Sequence, residues 1–462
     1  MACPAPATRS GKGLLMTKQV NQLDLLAKLL DLAKKEGAES ADALVFDATS
    51  IEVAQRLGAP EKLERAESTD MGLRVFIGKQ QAIVSSTDHS DNALREMAKR
   101  AVAMAKVAPE DPWCGIAEPS EIANTLAEMD SFDPVEPEAQ NLIDMAKEAE
   151  DAARAVKGVT NSEGAEAGYS RARIALSATN GFAEDYSVTS HSFSVSVLAG
   201  EGTTMERDYD FTSAVYAEDL KSPADIGRSA GERAVSRINP QKKKTSHVPV
   251  VYDWRTSSSL LGHLTGAING AGIARGTSFL KEMMGEQIFN KDITIHDDPH
   301  RRRGLSSKPF DGEGIATTPK KIIEHGKLTT WLLDLASARQ LGLPTTGNAA
   351  RGSSGPPSPA STNVYMEAGD LSVKELISDI EEGFLVNELI GMGVNGVTGD
   401  YSRGASGFWI KNGEITYPVS EMTIAGNLKD MFASLTPAND LEFRYGTDAP
   451  TLRIDGMTVA GL

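Results

Sequence analysis

The residue pattern changes once along this chain, at Asn239-Pro240 and the run Gln241-Lys242-Lys243-Lys244. That change limits the fold more than any other feature. An Asn-Pro step followed by consecutive lysines continues neither a helix nor a buried strand, so the residues on its two sides build separate units. A chain of 462 residues is also too long for one small core and divides into units of roughly 200 residues. The expected division is an N-terminal unit over 17–240 and a C-terminal unit over 246–462, with 1–16 a disordered leader.

Upstream of the break, Leu25, Leu26, Leu29, Leu30 and Leu32 recur at helical spacing, and Gly37 stops the run. Three stretches with strand-like alternation follow: Ala43–Leu57, Leu63–Ile77 and Gln81–Ser86. Helices are predicted over Asp91–Lys106, with Asp91 as N-cap, over Asn141–Lys157, and over Ser222–Ile238, which opens Ser-Pro. Pro109–Pro137 reads as a surface loop. Ala167–Phe211 is a strand block with a hairpin signal at Asn180-Gly181. This order implies α+β, with helices laid on an antiparallel sheet. Downstream, glycine and proline are frequent and the strands are short: His247–Tyr252, Gly314–Leu333, Asn363–Glu367, Gly383–Leu389 and Phe408–Tyr417. Helices are predicted over Ser257–Ile273 and Val373–Glu381. The C-terminal unit is therefore expected to be mainly β with a few helices.

The formal net charge of −17 repels phosphate backbones, so no nucleic-acid partner is expected. The lysine run is read as a solvated linker. The two cysteines, Cys3 and Cys114, give neither a disulfide framework nor a cysteine-rich metal knuckle, which fits a reducing cytoplasm. The apolar run Leu14-Leu15-Met16 is too short for a signal-peptide core, and Met16 is an alternative start. No stretch approaches the roughly 20 apolar residues that span a bilayer.

No catalytic constellation stands out. Gly391-Met392-Gly393-Val394-Asn395-Gly396 has the spacing of a dinucleotide loop, but no helix pattern follows it, so its glycines are assigned to tight turns. His296 and His300 are four apart, but Pro299 lies between them and no glutamate follows His296, so neither is assigned to a metal. His263, alone in a glycine-rich helix, is read as a hydrogen-bonded helix histidine. Ser406 and Ser353-Ser354 lack a nucleophile-elbow pattern or a placed base. Asp297, Asp298, Asp311 and Glu313 around Arg301-Arg302-Arg303 are read as mutually screened turn charges.

Several passages, in order from about residue 20 to 460, together resemble the TldD/PmbA family. They include Glu64-Arg65-Ala66, Gly72–Gln80, Ala101–Lys106 before Pro109-Glu110-Asp111-Pro112, and Arg275-Gly276-Thr277-Ser278. Later ones are Pro309–Gly314, Thr346-Gly347-Asn348, Asn412-Gly413-Glu414-Ile415, Ile424–Leu428 and Ala449–Ile454. In that family the TldD type carries H-E-x-x-x-H on a helix shortly before the R-G-T-S passage. Its two histidines and a C-terminal cysteine hold zinc, and the glutamate serves as general base. Here Leu261 and Gly262 stand where His-Glu belongs, Gly266 where the second histidine belongs, and no cysteine follows Cys114. That departure marks the PmbA/TldE type.

The resemblance implies a non-catalytic subunit with no metal or other cofactor of its own, zinc being expected only in a TldD-type partner. The pair would process or degrade unfolded peptides. The family's older name is "modulator of DNA gyrase". A peptide added as a strand to an edge of the β-rich unit is one way to grip such a substrate. Tyr401 and Arg403, placed in a glycine-rich turn before Phe408 and Trp409, are the cleft candidates. The rival readings are a metallopeptidase in its own right with an unrecognised site, and a homo-oligomeric peptide-binding or regulatory protein, a homodimer being its simplest form.

Overall fold

The computed structural model describes residues 21–461, so the leader expected over 1–16 lies outside the described residues. The chain is α+β. Helix α1 (Gln22–Glu36) is capped by Asn21 and ends at Gly37, whose left-handed backbone returns its N–H to the last turn. Strands β1 (Ser40–Arg56), β2 (Ala59–Ile77) and β3 (Gln80–Ser86) follow as a meander. Helix α2 (Asp91–Ala105) is capped by Ser90, not Asp91, because the Ser90 side chain accepts from Ala93 N. Residues 109–137 run as a loop without helix or strand, tied to the C-terminal half where Ile122 bridges Ile315. Helix α3 (Ala139–Arg154), strands β4 (Val159–Ala178), β5 (Ala183–Ala199) and β6 (Glu206–Ala214), and helix α4 (Pro223–Ser236) complete this half.

The six strands form one antiparallel sheet in the order β3-β2-β1-β4-β5-β6. Strand alternation turns Thr189, His191, Phe193, Val195 and Val197 of β5 toward the helices, while Ser190, Ser192, Ser194 and Ser196 face the other way. One face therefore packs two apolar clusters, beneath α1 and α2 and beneath α3 and α4.

The C-terminal half opens with β7 (Ser246–Tyr252), α5 (Trp254–Ala267) and α6 (Gly270–Ala274). One continuous helix was expected over Ser257–Ile273. It breaks because the Asn269 side chain caps α6 and Gly270 sits where a side chain would strike the Leu332 carbonyl. Then come β8 (Ile295–Asp297), β9 (Lys320–Glu324), β10 (Lys327–Leu328), α7 (Leu335–Leu341), β11 (Ala349–Ala350), β12 (Ser358–Pro359), β13 (Val364–Met366) and α8 (Val373–Ile377). The single strand expected over Gly314–Leu333 is cut short, since His325 and Gly326 both take left-handed backbone and reverse the chain.

The last elements are β14 (Glu382–Ile390), β15 (Asp400–Lys411), β16 (Glu414–Asn427), α9 (Leu428–Ser434), β17 (Leu435–Pro437), β18 (Thr447–Asp448) and β19 (Leu452–Ala460). The strand expected over Phe408–Tyr417 is a hairpin, turned at Asn412-Gly413, both with positive φ. Strands β8, β9, β10, β13 and β18 make one sheet. Strands β16-β15-β14-β7-β19 make a second, and Thr423–Ala425 pairing with Thr458–Ala460 closes it into a five-stranded barrel. Closure leaves the barrel without a free edge between β16 and β19, while the sheet of β8, β9, β10, β13 and β18 ends at β10 and β18. Residues from all five staves, among them Val250, Tyr252, Val386, Ala405, Ile424 and Met457, share one core. Val251, Leu385 and Ile410 face outward onto α8.

Candidate functional site

Helix α5 lies against the barrel, launched by Asp253, whose side chain accepts from Arg255 N. Leu260, Leu261 and Leu264 turn into the core, Leu261 with 1% of its surface exposed. Gly262 and Gly266 lie on the opposite, open side, where an added methyl group would meet no atom within 4 Å. His263 stands beside them. Its ring meets the Tyr401 ring edge-on, centroids 5.8 Å apart, and its Nε2 has no hydrogen-bond partner. That corrects its reading as a hydrogen-bonded helix histidine. Burial pushes its pKa below the usual histidine value, and the Arg403 guanidinium adds to the effect.

Tyr401 and Arg403 are not turn residues, as the sequence suggested, but strand residues of β15. Two causes explain the error. The segment before them, Gly391–Gly399, folds back so that Val394 bridges Tyr401 and Ser402 N donates to Gly393 O at 2.7 Å. Gly393 and Gly407 also serve close backbone approach instead of tight turns, since a Cβ there would sit 2.1 Å from Ser402 O and 1.9 Å from Leu385 O respectively. Tyr401 is 1% exposed and belongs to the barrel's inner core. Strand alternation puts Arg403 on the same face.

The remaining candidates separate. His296 stacks on Tyr365 and reaches Glu367 at 2.7 Å, while His300 turns to Thr317 at 3.0 Å, so the two rings serve different neighbours. The acidic cluster is not a set of screened turn charges. Asp297 is buried and accepts from Thr362 N, Thr362 Oγ1 and Asn348 Nδ2. Asp311, also buried, accepts from the backbone N–H groups of Glu313, Ile315 and Ala349. Among the arginines, Arg301 pairs with Asp448, and Arg302 and Arg303 with Asp130. The lysine run is solvated as expected, Gln241, Lys242 and Lys244 being exposed, but it is tethered: Lys242 pairs with Glu421, and Lys243 lies over the Trp409 ring at 4.1 Å.

A buried charge network between the halves was not foreseen. Arg74 on β2 donates to Asp42 on β1, and Arg351 from the C-terminal half donates to the same carboxylate. Glu313 lies 3.6 Å from Arg74 and accepts from Leu335 N. Nearby, Gly72 is pressed against the Ser353 carbonyl.

The donors around α5 do not fit a zinc ion, which takes three or four nitrogen, oxygen or sulfur ligands. One imidazole, one guanidinium and two phenols converge there, and no group of three or more His, Cys, Asp or Glu is poised to hold a metal among the described residues. Also among the described residues, no helix is long and apolar enough to cross a membrane.

Sheet, barrel and α5 together are the architecture of a metallopeptidase family. Residues 41–105, 132–238 and 245–461 match, in order, domain 1, the central domain and the C-terminal domain described for PmbA/TldA metallopeptidases. The chain belongs to the PmbA/TldD metallopeptidase family. It is 37% identical over 459 residues to a protein of Escherichia coli O157:H7 named metalloprotease PmbA, covering 97% of this chain and 99% of that one. A Bacteroides thetaiotaomicron structure, described as a proposed modulator of DNA gyrase, superposes with a TM-score of 0.88 at 27% identity, covering 97% of this chain and 100% of that one. TldE from Thermococcus kodakarensis shares the fold with a TM-score of 0.85 at 22% identity, over 95% of this chain and 100% of that one.

Proposed function

We propose that this chain is the non-catalytic, PmbA/TldE-type subunit of a cytoplasmic metallopeptidase pair that processes or degrades unfolded peptides. A TldD-type subunit supplies the zinc and the bond cleavage. The observation that carries the reading is the face of α5. Position 261 turns a leucine into the core, and positions 262 and 266 carry no side chain. With one imidazole, His263, and no carboxylate on that side, the helix lacks the three or four donors that hold zinc and activate a bound water, so hydrolysis falls to the partner. This chain's contribution is to shape the peptide-binding space and to complete the assembly.

The test is a peptide-cleavage assay with three arms, this chain alone, a TldD-type partner alone, and both, run with elemental analysis of each protein. The expected result is cleavage by the pair and none by this chain alone, which carries no stoichiometric zinc. One tightly bound zinc per chain with cleavage in the first arm would establish instead a metallopeptidase in its own right. Recovery of only self-assemblies from the native host would favour the homo-oligomeric reading.

A further inference from the structure

The barrel's inner core holds a group of polar side chains that the proposed function leaves unused. Strand β15 overhangs its neighbour: β14 pairs with it only as far as Ile390 opposite Gly404, so Arg403 and Tyr401 stand at the barrel's rim. Arg403 Nε, the Tyr401 hydroxyl and His263 Nε2 are all shielded from solvent, and among the described residues none makes a hydrogen bond of good geometry, although Tyr252 and Arg403 both lie close enough to the Tyr401 hydroxyl to act on it. The nearby Tyr252 hydroxyl donates instead to Met457 Sδ at 3.7 Å. Polar groups buried without well-aligned partners are costly, and most buried ones in folded chains have such partners.

Among the described residues, no acidic group pairs with the guanidinium. His263, Tyr401 and Tyr252 each sense Arg403, and no carboxylate is among the groups that perturb them. This is unusual in a chain of net charge −17, where the buried arginines Arg74, Arg237 and Arg255 all have carboxylate partners. Beside His263, α5 presents Gly262 and Gly266, with nothing within 4 Å of either position, so no side chain on that face covers the imidazole. The segment from β14 to β15 exposes Ile390, Met392 and Val397, Met392 to 91%, and so lays an apolar rim next to the polar group.

We propose that Arg403, Tyr401 and His263 form a carboxylate-binding subsite at the barrel mouth, which takes a carboxylate of a peptide while the rim holds the apolar side chains beside it. A guanidinium fork, a phenol and an imidazole N–H each donate, and together they match a planar anion. The choice of a peptide as ligand rests on the proposed function; the choice of a carboxylate rests on the donors alone.

The test uses the full chain by itself in carboxylate-free buffer and reads the His263 imidazole resonance by NMR, identified by comparison with His263→Gln. The titrants are acetate, N-acetyl-alanyl-alanine, the amide of that dipeptide, N-acetyl-glutamyl-alanine amide, and inorganic phosphate. Saturable shifts with a free acid, and none with the neutral amide, are expected. The second and fourth titrants tell a main-chain from a side-chain carboxylate. Arg403→Gln should weaken binding about tenfold or more, Arg403→Lys less because it keeps the charge without the fork, and Tyr401→Phe by a few-fold. Melting temperatures verify that each variant is folded. The absence of any shift, shifts undiminished in both Arg403 variants, equal binding of the neutral amide, or a preference for phosphate would each overturn the proposal. No partner is present in this experiment, so a failure to activate a TldD-type subunit would leave its result standing.

Discussion

Arg351 donates to the Asp42 carboxylate at 2.5 Å, joining positions 309 residues apart, and both side chains are buried. Arg74 holds the same carboxylate through Nε at 3.0 Å. Burial acts to raise the Asp42 pKa, but the two guanidiniums outweigh it and hold the group below the usual aspartate value. One carboxylate thus serves two cations from opposite halves of the chain.

The two ends of this contact are therefore unequal. Asp42→Ala leaves two buried guanidiniums facing each other and is expected to cost about 3–5 kcal/mol. Arg351→Met leaves Asp42 still paired with Arg74 and should cost about 1–3 kcal/mol. Denaturant unfolding of both variants measures the difference, and an Arg351→Met cost as large as that of Asp42→Ala would contradict the shared-anion arrangement.

Glu313 gives the junction a pH dependence. Burial raises its pKa to about 8; Arg74 opposes the rise and Asp311 adds to it. Burial prevails because Arg74 is already engaged by Asp42 and lies 3.6 Å from Glu313. The folded chain therefore binds a proton that the unfolded chain has released, and this contribution to stability is complete below the ordinary glutamate pKa and lost as pH rises through about 8. Unfolding free energies measured from pH 5 to 9 should fall with pH, and Glu313→Gln should flatten that slope.

Glycine substitutions should split by position. Gly72→Ala drives a Cβ to within 2.2 Å of the Ser353 carbonyl and should cost about 1–3 kcal/mol through overpacking. Gly262→Ala and Gly266→Ala add a methyl in open space on a helix and should each stabilise by about 0.8–1 kcal/mol. Thermal unfolding of the three variants shows whether α5 keeps its glycines for stability or for access.

His263 should titrate below the ordinary histidine value, as burial and Arg403 both disfavour the imidazolium. Its NMR titration midpoint should rise in Arg403→Gln but stay below that of an exposed histidine, since burial remains. An unchanged midpoint would separate the two side chains.

The first half was the more legible in sequence. Alternation in β5 and in the later part of β1, and the leucine spacing of α1, report one-sided burial, which local sequence records directly. In the second half, the reversals at His325-Gly326 and Asn412-Gly413 each carry a polar, glycine-containing turn signal, Glu324-His325-Gly326-Lys327 and Lys411-Asn412-Gly413-Glu414, but each pair of strands around them was read as one. The site was half legible. Tyr401 and Arg403 were singled out, but their strand depends on backbone contacts from Gly393 and Leu385 that only the folded chain supplies. The Asp42–Arg351 pair left no local trace at all, because a link across 309 residues has no period to detect.

Strand β7 opens the C-terminal half, yet its neighbour β19 is made some two hundred residues later, and that same late strand seals the ring against β16. On the ribosome the sheet and helices of the first half can settle while the staves wait unsealed. During that interval β7 and β16 show open flanks to solvent, and this is when misassembly of the nascent chain would be most expected.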